Sequence, residues 1–379
     1  MAVSACPHRP PCDACPRFGA GTIARHAREA LQALAREHGL SDVPVHGGAL
    51  SGFRHRARLA IRGRLGAPKI GLFAADSHRV VHIPDCRVHH PLINAVAGVV
   101  RGALVEAKVT CYSDRAHLGL ARYLQVVVER RSQSAQVVLV ANTDAVEPLE
   151  ACLELIRERL GARLHSLWLN FNSRPDNVIL GPVFHHYCGP QSVVEDFGAA
   201  AVHYPPGAFG QSNLEVAQQI VEHVRERVSP GASVTEFYAG VGAIGLSLLG
   251  RAGRLRLNEV SPQALQGLQL GLAELAPQQR ERVEVLPGPA ALAVGAVGDA
   301  QLVIADPPRK GLDRELTAVL AAQPPDELIY ISCGLPSLLD DVRLLLAPGR
   351  LKLAELTAFN LMPFTEHVET IARFQREKI

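Results

Sequence analysis

Five groups of residues in this chain carry types and spacings that can do chemistry. The first is Cys333, which follows the apolar run 328–331 and precedes a helical pattern. A thiol at a helix N-terminus is helped to ionise, and the thiolate is the nucleophile. The other reading is a small buried hydrophobe at a strand end. The second is Asp306-Pro307-Pro308-Arg309, closing the apolar run 302–305. Two prolines stiffen that exit, and strand ends of this kind hold ligands in open α/β sheets; a rigid turn with a surface arginine is the alternative. An aromatic residue in place of Arg309 would have suggested amino-group methylation. The third group is the glycine-rich segment EFYAGVGAIG at 236–245, with Gly240 central, which opens toward a helix pattern. Such glycines admit close backbone approach of a ligand. Asn258-Glu259 ends the next apolar run, where an acid can hold ribose hydroxyls or simply face solvent before Ser261-Pro262. Together these two features favour a nucleoside cofactor without separating a dinucleotide from S-adenosylmethionine.

The fourth group is Cys6, Cys12 and Cys15, joined by the distant Cys86. Four thiolates suit Zn²⁺ or an iron–sulfur cluster. Cys111, Cys152 and Cys188 have no ligand spacing and read as core residues. The fifth is a basic stretch, with Phe53, Arg54, His55, Arg56, Arg58, Arg62, Arg64 and Lys69. It is either a phosphate-binding strand pair with Phe53 as a stacking platform or a solvated sheet face.

The elements that must hold these residues follow two regimes. Residues 22–38 have helical period, and 50–82 reads as strands. A helix is expected over 90–107 and another over 146–161, among antiparallel strands that include ARYLQVVVERR paired with AQVVLVANT, and SLWLNFN paired with NVILGPV. From about 213 strands and helices alternate: VTEFYAG then a helix, LRLNEV then a helix, VEVLPG, LVIADPP, LIYISCG, LKLAELTAFN and HVETIARFQR. That alternation predicts a doubly wound, mostly parallel α/β sheet with an antiparallel last pair. The expected partition is an N-terminal segment with basic strands at 1–90, discontinuous with a central α+β domain at 91–206, and an α/β domain at 207–379.

Composition adds bounds. At 379 residues, 47% hydrophobic and 20% charged, the chain can build more than one core. A net charge of +2 does not by itself announce a nucleic-acid partner. No run is long and apolar enough to span a membrane, and the polar, cysteine-rich start is unlike a secretory signal. A cytoplasmic location with reduced thiols is therefore expected; a monomer is expected too, although no sequence pattern fixes the oligomeric state.

Ten segments, in order, resemble the RNA uracil-C5 methyltransferases: the early cysteine group, GFRHRARLAI, HIPDC, NVILG, GAFGQSN, EFYAGVGAIGL, NEVSPQAL, DPPRKGLD, IYISCG and MPFTEHVE. The early cysteines make the shorter members that act on 23S ribosomal RNA the nearest likeness. The resemblance implies a Rossmann-like methyltransferase domain, S-adenosyl-L-methionine as methyl donor and RNA as substrate. It implies contacts from Gln211, Tyr238, Glu259 and Asp306 to the donor or the target base. It also implies a [4Fe–4S] cluster on Cys6, Cys12, Cys15 and Cys86, Cys333 as nucleophile at uracil C6, and Glu369 as the base at C5, with Glu366 and His367 as neighbours that compete for that role. RNA contact is expected from Phe53, Arg54, Arg56 and Arg58. Three positions depart from the family pattern: Gly334 where asparagine usually follows the nucleophile, Glu236 in place of the usual aspartate, and Gly210 in place of a bulkier residue. A tRNA substrate, a small-molecule methyl acceptor and an iron–sulfur RNA-binding protein whose catalysis has lapsed are the alternatives.

Overall fold

The computed structural model describes residues 5–198 and 200–377. In chain order the elements are α1 (Arg25–Glu37), β1 (Val45–His46), β2 (Arg56–Arg64), β3 (Ala67–Phe73), β4 (Val80–His82), α2 (Pro91–Glu106), β5 (Ala121–Val128), β6 (Ala135–Ala141) and α3 (Glu150–Leu160). Next come β7 (Leu164–Phe171), β8 (Val183–Cys188), β9 (Val193–Phe197), β10 (Ala200–Tyr204), α4 (Leu214–Arg227), β11 (Ser233–Phe237), β12 (Arg254–Glu259), α5 (Pro262–Ala273), α6 (Pro277–Arg280) and β13 (Val283–Pro287). The chain finishes with β14 (Leu302–Ala305), α7 (Arg314–Ala322), β15 (Glu327–Ser332), α8 (Leu335–Leu346), β16 (Leu351–Phe359) and β17 (Glu369–Arg376).

These elements form two compact units. One holds the chain up to Phe18 with residues 49–195 and 204–214; the other holds residues 19–48, 196–203 and 215 onward. The boundaries at 90 and 206 expected from sequence therefore differ from the observed ones. The reason is α1: its apolar face, Ala27, Leu31, Leu34 and Ala35, is buried in the same core as β14, α7 and α8. The short β1 then extends the second unit's sheet beside β16 before the chain leaves it. Amphipathic period shows that a helix packs, but not against what.

The second unit is an eight-stranded sheet in the order β1-β16-β17-β15-β14-β11-β12-β13. Strands β11 to β15 run parallel. Strand β17 runs antiparallel to β15, with Ser332 opposite Thr370. Sidedness explains why β14 is a wholly buried apolar run: parallel strands are covered on both faces. The start of β17 thus falls beside the carboxyl end of β15. The glycine-rich turn after β11 leads not to an α-helix, as expected, but to a single 3₁₀ segment, Gly245–Gly250; two glycines and Ser247 in six residues offer little helix propensity.

The first unit has a seven-stranded mixed sheet, β4-β3-β2-β5-β6-β7-β8. The hairpin expected from ARYLQVVVERR and AQVVLVANT is β5 and β6, and β6 pairs parallel with β7 through α3. NVILGPV is not the next strand. Asn172 and Asn170 side chains bond the backbone of Val178, Ile179 and Gly181 there, and pairing resumes only at β8. The basic stretch is solvated only in part: Arg58, Arg64 and Lys69 are exposed. Arg62 is buried, forks onto Asp114 at 2.7 Å, and stacks near Phe73, Tyr112 and Tyr123. No helix among the described residues is long and apolar enough to cross a membrane.

Candidate active site

At the carboxyl ends of β11, β12, β14 and β15 the second unit gathers Tyr238, Gly240, Glu259, Asp306 and Cys333, and β17 brings Glu369 to the same edge. The turn after β11 is tightly specified. Tyr238 takes a left-handed conformation with φ 61°, followed by Gly240 at 58° and Gly242 at 84°. A tyrosine is held there only by its surroundings. Its hydroxyl donates to Asp313 Oδ2 at 3.1 Å and accepts from the Asp313 N–H at 3.2 Å. Glu259 accepts the Gly240 N–H at 2.7 Å with one oxygen and the Val260 and Ser261 N–H groups at 2.8 and 2.6 Å with the other. The second-strand acid thus fixes the loop's shape. Open space lies where a Gly240 Cβ would be, so a ligand can approach the backbone closely.

Beneath this turn sits Glu236. It is buried, and its Oε2 has no hydrogen-bond partner among the described residues. Burial holds its carboxyl well above the usual range, and Asp306 and Glu259 add to that; the Gly245 N–H opposes it. A Cβ on Gly245 would lie 2.3 Å from Glu236 Oε2 and 2.4 Å from Leu257 Cδ2. Gly245→Ala is therefore expected to cost this unit about 1–3 kcal/mol by overpacking, read as a lower denaturant midpoint with unchanged slope. A buried acid with one unpaired oxygen among the described residues, an open glycine and an anchored Glu259 fit a cofactor bearing an amino group and a ribose.

The reacting end is a knot of acids around one sulfur. Burial pushes Asp306 up to about 7. Burial, then the nearby Asp306, holds Glu369 well above the carboxylate range, against the pull of Arg309. The half-buried Cys333 is pushed up to about 11 by burial, Glu369 and Asp306, with Arg309 the opposing charge. The ionisation expected from sequence at a helix start is opposed here: desolvation and two carboxyls act against the helix dipole. Of the competing acids, Glu366 lies at the surface within 3.4 Å of His26 Nδ1, while Glu369 is buried and faces Asp306 and Cys333 electrostatically. The structure brings Glu369, Asp306 and Cys333 together. Arg309 completes the group, a role that sequence reading did not give it, although its place beside Asp306-Pro-Pro offered the signal.

The tRNA (Uracil-5-)-methyltransferase family model matches residues 298–377, which include Asp306, Cys333 and Glu369. An uncharacterised RNA methyltransferase of Protochlamydia amoebophila is 34% identical over 88% of this chain and 88% of its own. The chain belongs to the RNA uracil-C5 methyltransferase family. Another uncharacterised RNA methyltransferase, from Geobacter sulfurreducens, is 29% identical over 84% of this chain and 65% of its own. The fold matches the crystal structure of Pyrococcus abyssi tRNA (uracil-54, C5)-methyltransferase in complex with S-adenosyl-L-homocysteine, with a TM-score of 0.76 and 22% identity over 92% of this chain and 83% of that one.

In this methyltransferase the first unit holds the remaining candidates. Cys15 lies within electrostatic reach of Cys86, Cys12 and Cys6, and Cys86 within reach of Cys6 and Cys12. Burial pushes Cys15 up to about 11, with Cys86, Cys12 and Cys6 adding and Arg54 opposing. Burial also raises Cys86, against the N–H groups of Val88 and His89. The N-terminal segment is fastened by the Asp85 N–H to His8 Nε2 at 3.0 Å and the Ala75 N–H to Asp13 Oδ2 at 2.9 Å. Among the described residues no group of three or more His, Cys, Asp or Glu is arranged to hold a metal ion. Cys111 and Cys188 pack against the core and Cys152 lies in it, as read from sequence.

Phe53 is buried, so the stacking face expected of it is not presented. Arg54 is bonded through its backbone to Val88 and His90. Arg56 donates to the Ala208 carbonyl at 2.7 Å and lies over the Tyr204 ring. Arg58 is exposed and bonds Gln125. Among the described residues of this unit Phe209 is an exposed aromatic, at 70%, two positions before Gln211 on the same loop. It was legible only as part of the GAFGQSN motif.

Proposed function

We propose that the protein transfers a methyl group from S-adenosyl-L-methionine to C5 of a uridine in RNA, with 23S ribosomal RNA as the favoured substrate. The observation that carries this reading is the convergence of Cys333, Glu369 and Asp306 at one sheet edge. The donor supplies an electrophilic methyl on a cationic sulfonium; Glu236, Glu259, Tyr238 and the backbone at Gly240 are the residues to hold it. Uracil C5 is a poor nucleophile until C6 is attacked. Cys333, as thiolate, bonds to C6, and the ring's electron pair moves toward the carbonyl oxygen as an enolate. That pair returns through C5 to take the methyl, while the pair of the broken sulfur–carbon bond stays on the donor sulfur, now a neutral thioether. Glu369, as carboxylate, then removes the C5 proton; the C5–H pair re-forms the double bond and the C6–S bond breaks, returning the thiolate. Each role requires the ionised form, which burial of Cys333 and Glu369 opposes. A positive charge entering this pocket shifts all three toward ionisation.

The target base must be turned out of its stack to reach Cys333. By the family resemblance we assign Gln211 to contact with the donor or the target base, and Arg58 with neighbouring basic residues to phosphate. The matched family's name favours one second reading, a tRNA substrate. Nucleoside analysis of ribosomal and transfer RNA from cells with and without the gene separates the two. Loss of 5-methyluridine from 23S RNA supports the first reading, loss from tRNA the second, and no loss from either contradicts both.

For Cys6, Cys12, Cys15 and Cys86 we propose a [4Fe–4S] cluster with a structural role. The resemblance of the early cysteine motif to the family's shorter members selects the cluster over zinc, and Cys15 lies within electrostatic reach of Cys86, Cys12 and Cys6. Protein purified without oxygen is expected to be brown, to absorb near 400 nm and to lose both on Cys86→Ser. A colourless protein with one bound zinc would overturn this assignment.

A further inference from the structure

The turn that carries Cys333 and the loop that carries Arg309 are fastened by one hydroxyl. Ser337, in the first turn of α8, lies 2.9 Å from the carbonyl of Gly334 and 3.0 Å from that of Arg309, and its single proton is shared between them. The two segments pass unusually close. A Cβ on Gly334 would lie 2.6 Å from Ser337 Oγ and 2.9 Å from the Arg309 carbonyl oxygen. Gly334, the departure from the family pattern, thus has a local cause: no side chain fits between the nucleophile turn and the Arg309 backbone.

One turn further along the same helix face, Asp341 fastens the loop again. Its Oδ2 accepts the Leu312 N–H at 3.1 Å and the Tyr330 hydroxyl at 2.6 Å. Gly311, at φ +87°, would bring a Cβ within 2.5 Å of that oxygen. Arg309 itself is exposed, and it is the cation that acts on both Cys333 and Glu369.

We propose that Ser337 is a positioning residue for the methyl-transfer reaction, holding the Arg309 loop against the Cys333 turn so that the guanidinium charge reaches the sulfur and the base. The assignment rests on the nucleophile reading above. It makes Gly334 and Ser337 a matched pair rather than a sign of lapsed catalysis.

The test is the pH dependence of iodoacetamide alkylation at Cys333, followed by mass spectrometry of its peptide in the full-length protein. Ser337→Ala is expected to move the thiol midpoint upward and to slow alkylation at pH 8 roughly two- to tenfold, the worth of one hydrogen bond. The methylation kcat should fall by a similar factor with the donor KM unchanged. Ser337→Thr keeps the hydroxyl and should restore the midpoint. Gly334→Ala should act in the same direction as Ser337→Ala, and the double variant should lose less than the two singles combined, because its conflict with the hydroxyl is gone. A Ser337→Ala protein with lowered thermal stability but an unchanged thiol midpoint would show a merely structural bond and overturn the proposal. The nucleophile reading fails differently: wild-type Cys333 would then form no adduct with 5-fluorouridine RNA, whatever residue stands at 337.

Discussion

Cys333→Ala is expected to lower methyl transfer to RNA by about ten-thousand-fold or more while leaving donor binding intact. The size follows from the chemistry. Without sulfur at C6 the pyrimidine has no enolate to offer, and no other group among Asp306, Glu369 and Arg309 can form that bond. Removing a covalent nucleophile removes the pathway, not one contribution to it. Cys333→Ser should fall nearly as far, since a hydroxyl in this acid-rich pocket has even less tendency to ionise. Single-turnover transfer of a labelled methyl group, set beside calorimetric titration of the donor, separates lost chemistry from lost binding. Retention of a tenth of the wild-type rate in Cys333→Ala would place the nucleophile elsewhere.

Glu369→Gln is expected to stop the reaction after the methyl group has moved. The amide cannot take the C5 proton, so the methylated ring stays bound to Cys333. Turnover should drop about a hundred- to ten-thousand-fold, and a protein–RNA adduct stable to denaturant should accumulate with ordinary uridine RNA. The same substitution has a second, opposite signature. Burial and Asp306 raise the folded-state pKa of Glu369. Its neutral form is therefore the stabilised one; that stability is present below the ordinary carboxylate range and is lost as pH rises through the raised value. Asp306, raised to about 7, sets a matching window from near pH 4 upward. Glutamine imitates neutral Glu369, so the variant should match wild type near pH 4 and unfold at a higher temperature at pH 8. Equal unfolding temperatures at both pH values would mean that Glu369 carries no buried charge.

Much of this site was legible in the sequence because its residues stand at strand ends, and strand ends are marked by where apolar runs stop. Asp306, Cys333 and Glu259 each close such a run, and the doubly wound order then places them on one edge. The fate of the basic stretch was not legible. Alternating arginines read as a wet face, yet Arg62 finds Asp114 and three aromatic rings from β3, β5 and the chain before β5. Such partners are 11 to 61 positions away in sequence, and periodicity carries no information about them. The upward push on the Cys333 thiol was missed for a similar reason. A helix start can be read locally, but the two carboxyls that raise Cys333 come from β17 and the end of β14. The partition failed at α1, whose partners lie near the opposite end of the chain.

The central claim is that sulfur bonds to the pyrimidine ring, and one measurement addresses it most directly. RNA containing 5-fluorouridine at the target is incubated with the protein and S-adenosyl-L-methionine, then resolved under denaturing conditions. Fluorine at C5 cannot be removed as a proton, so the adduct has no exit. The expected result is a stoichiometric protein–RNA band whose cross-linked peptide contains Cys333. Full binding of that RNA with no covalent band, or a cross-link through any other residue, would contradict the account.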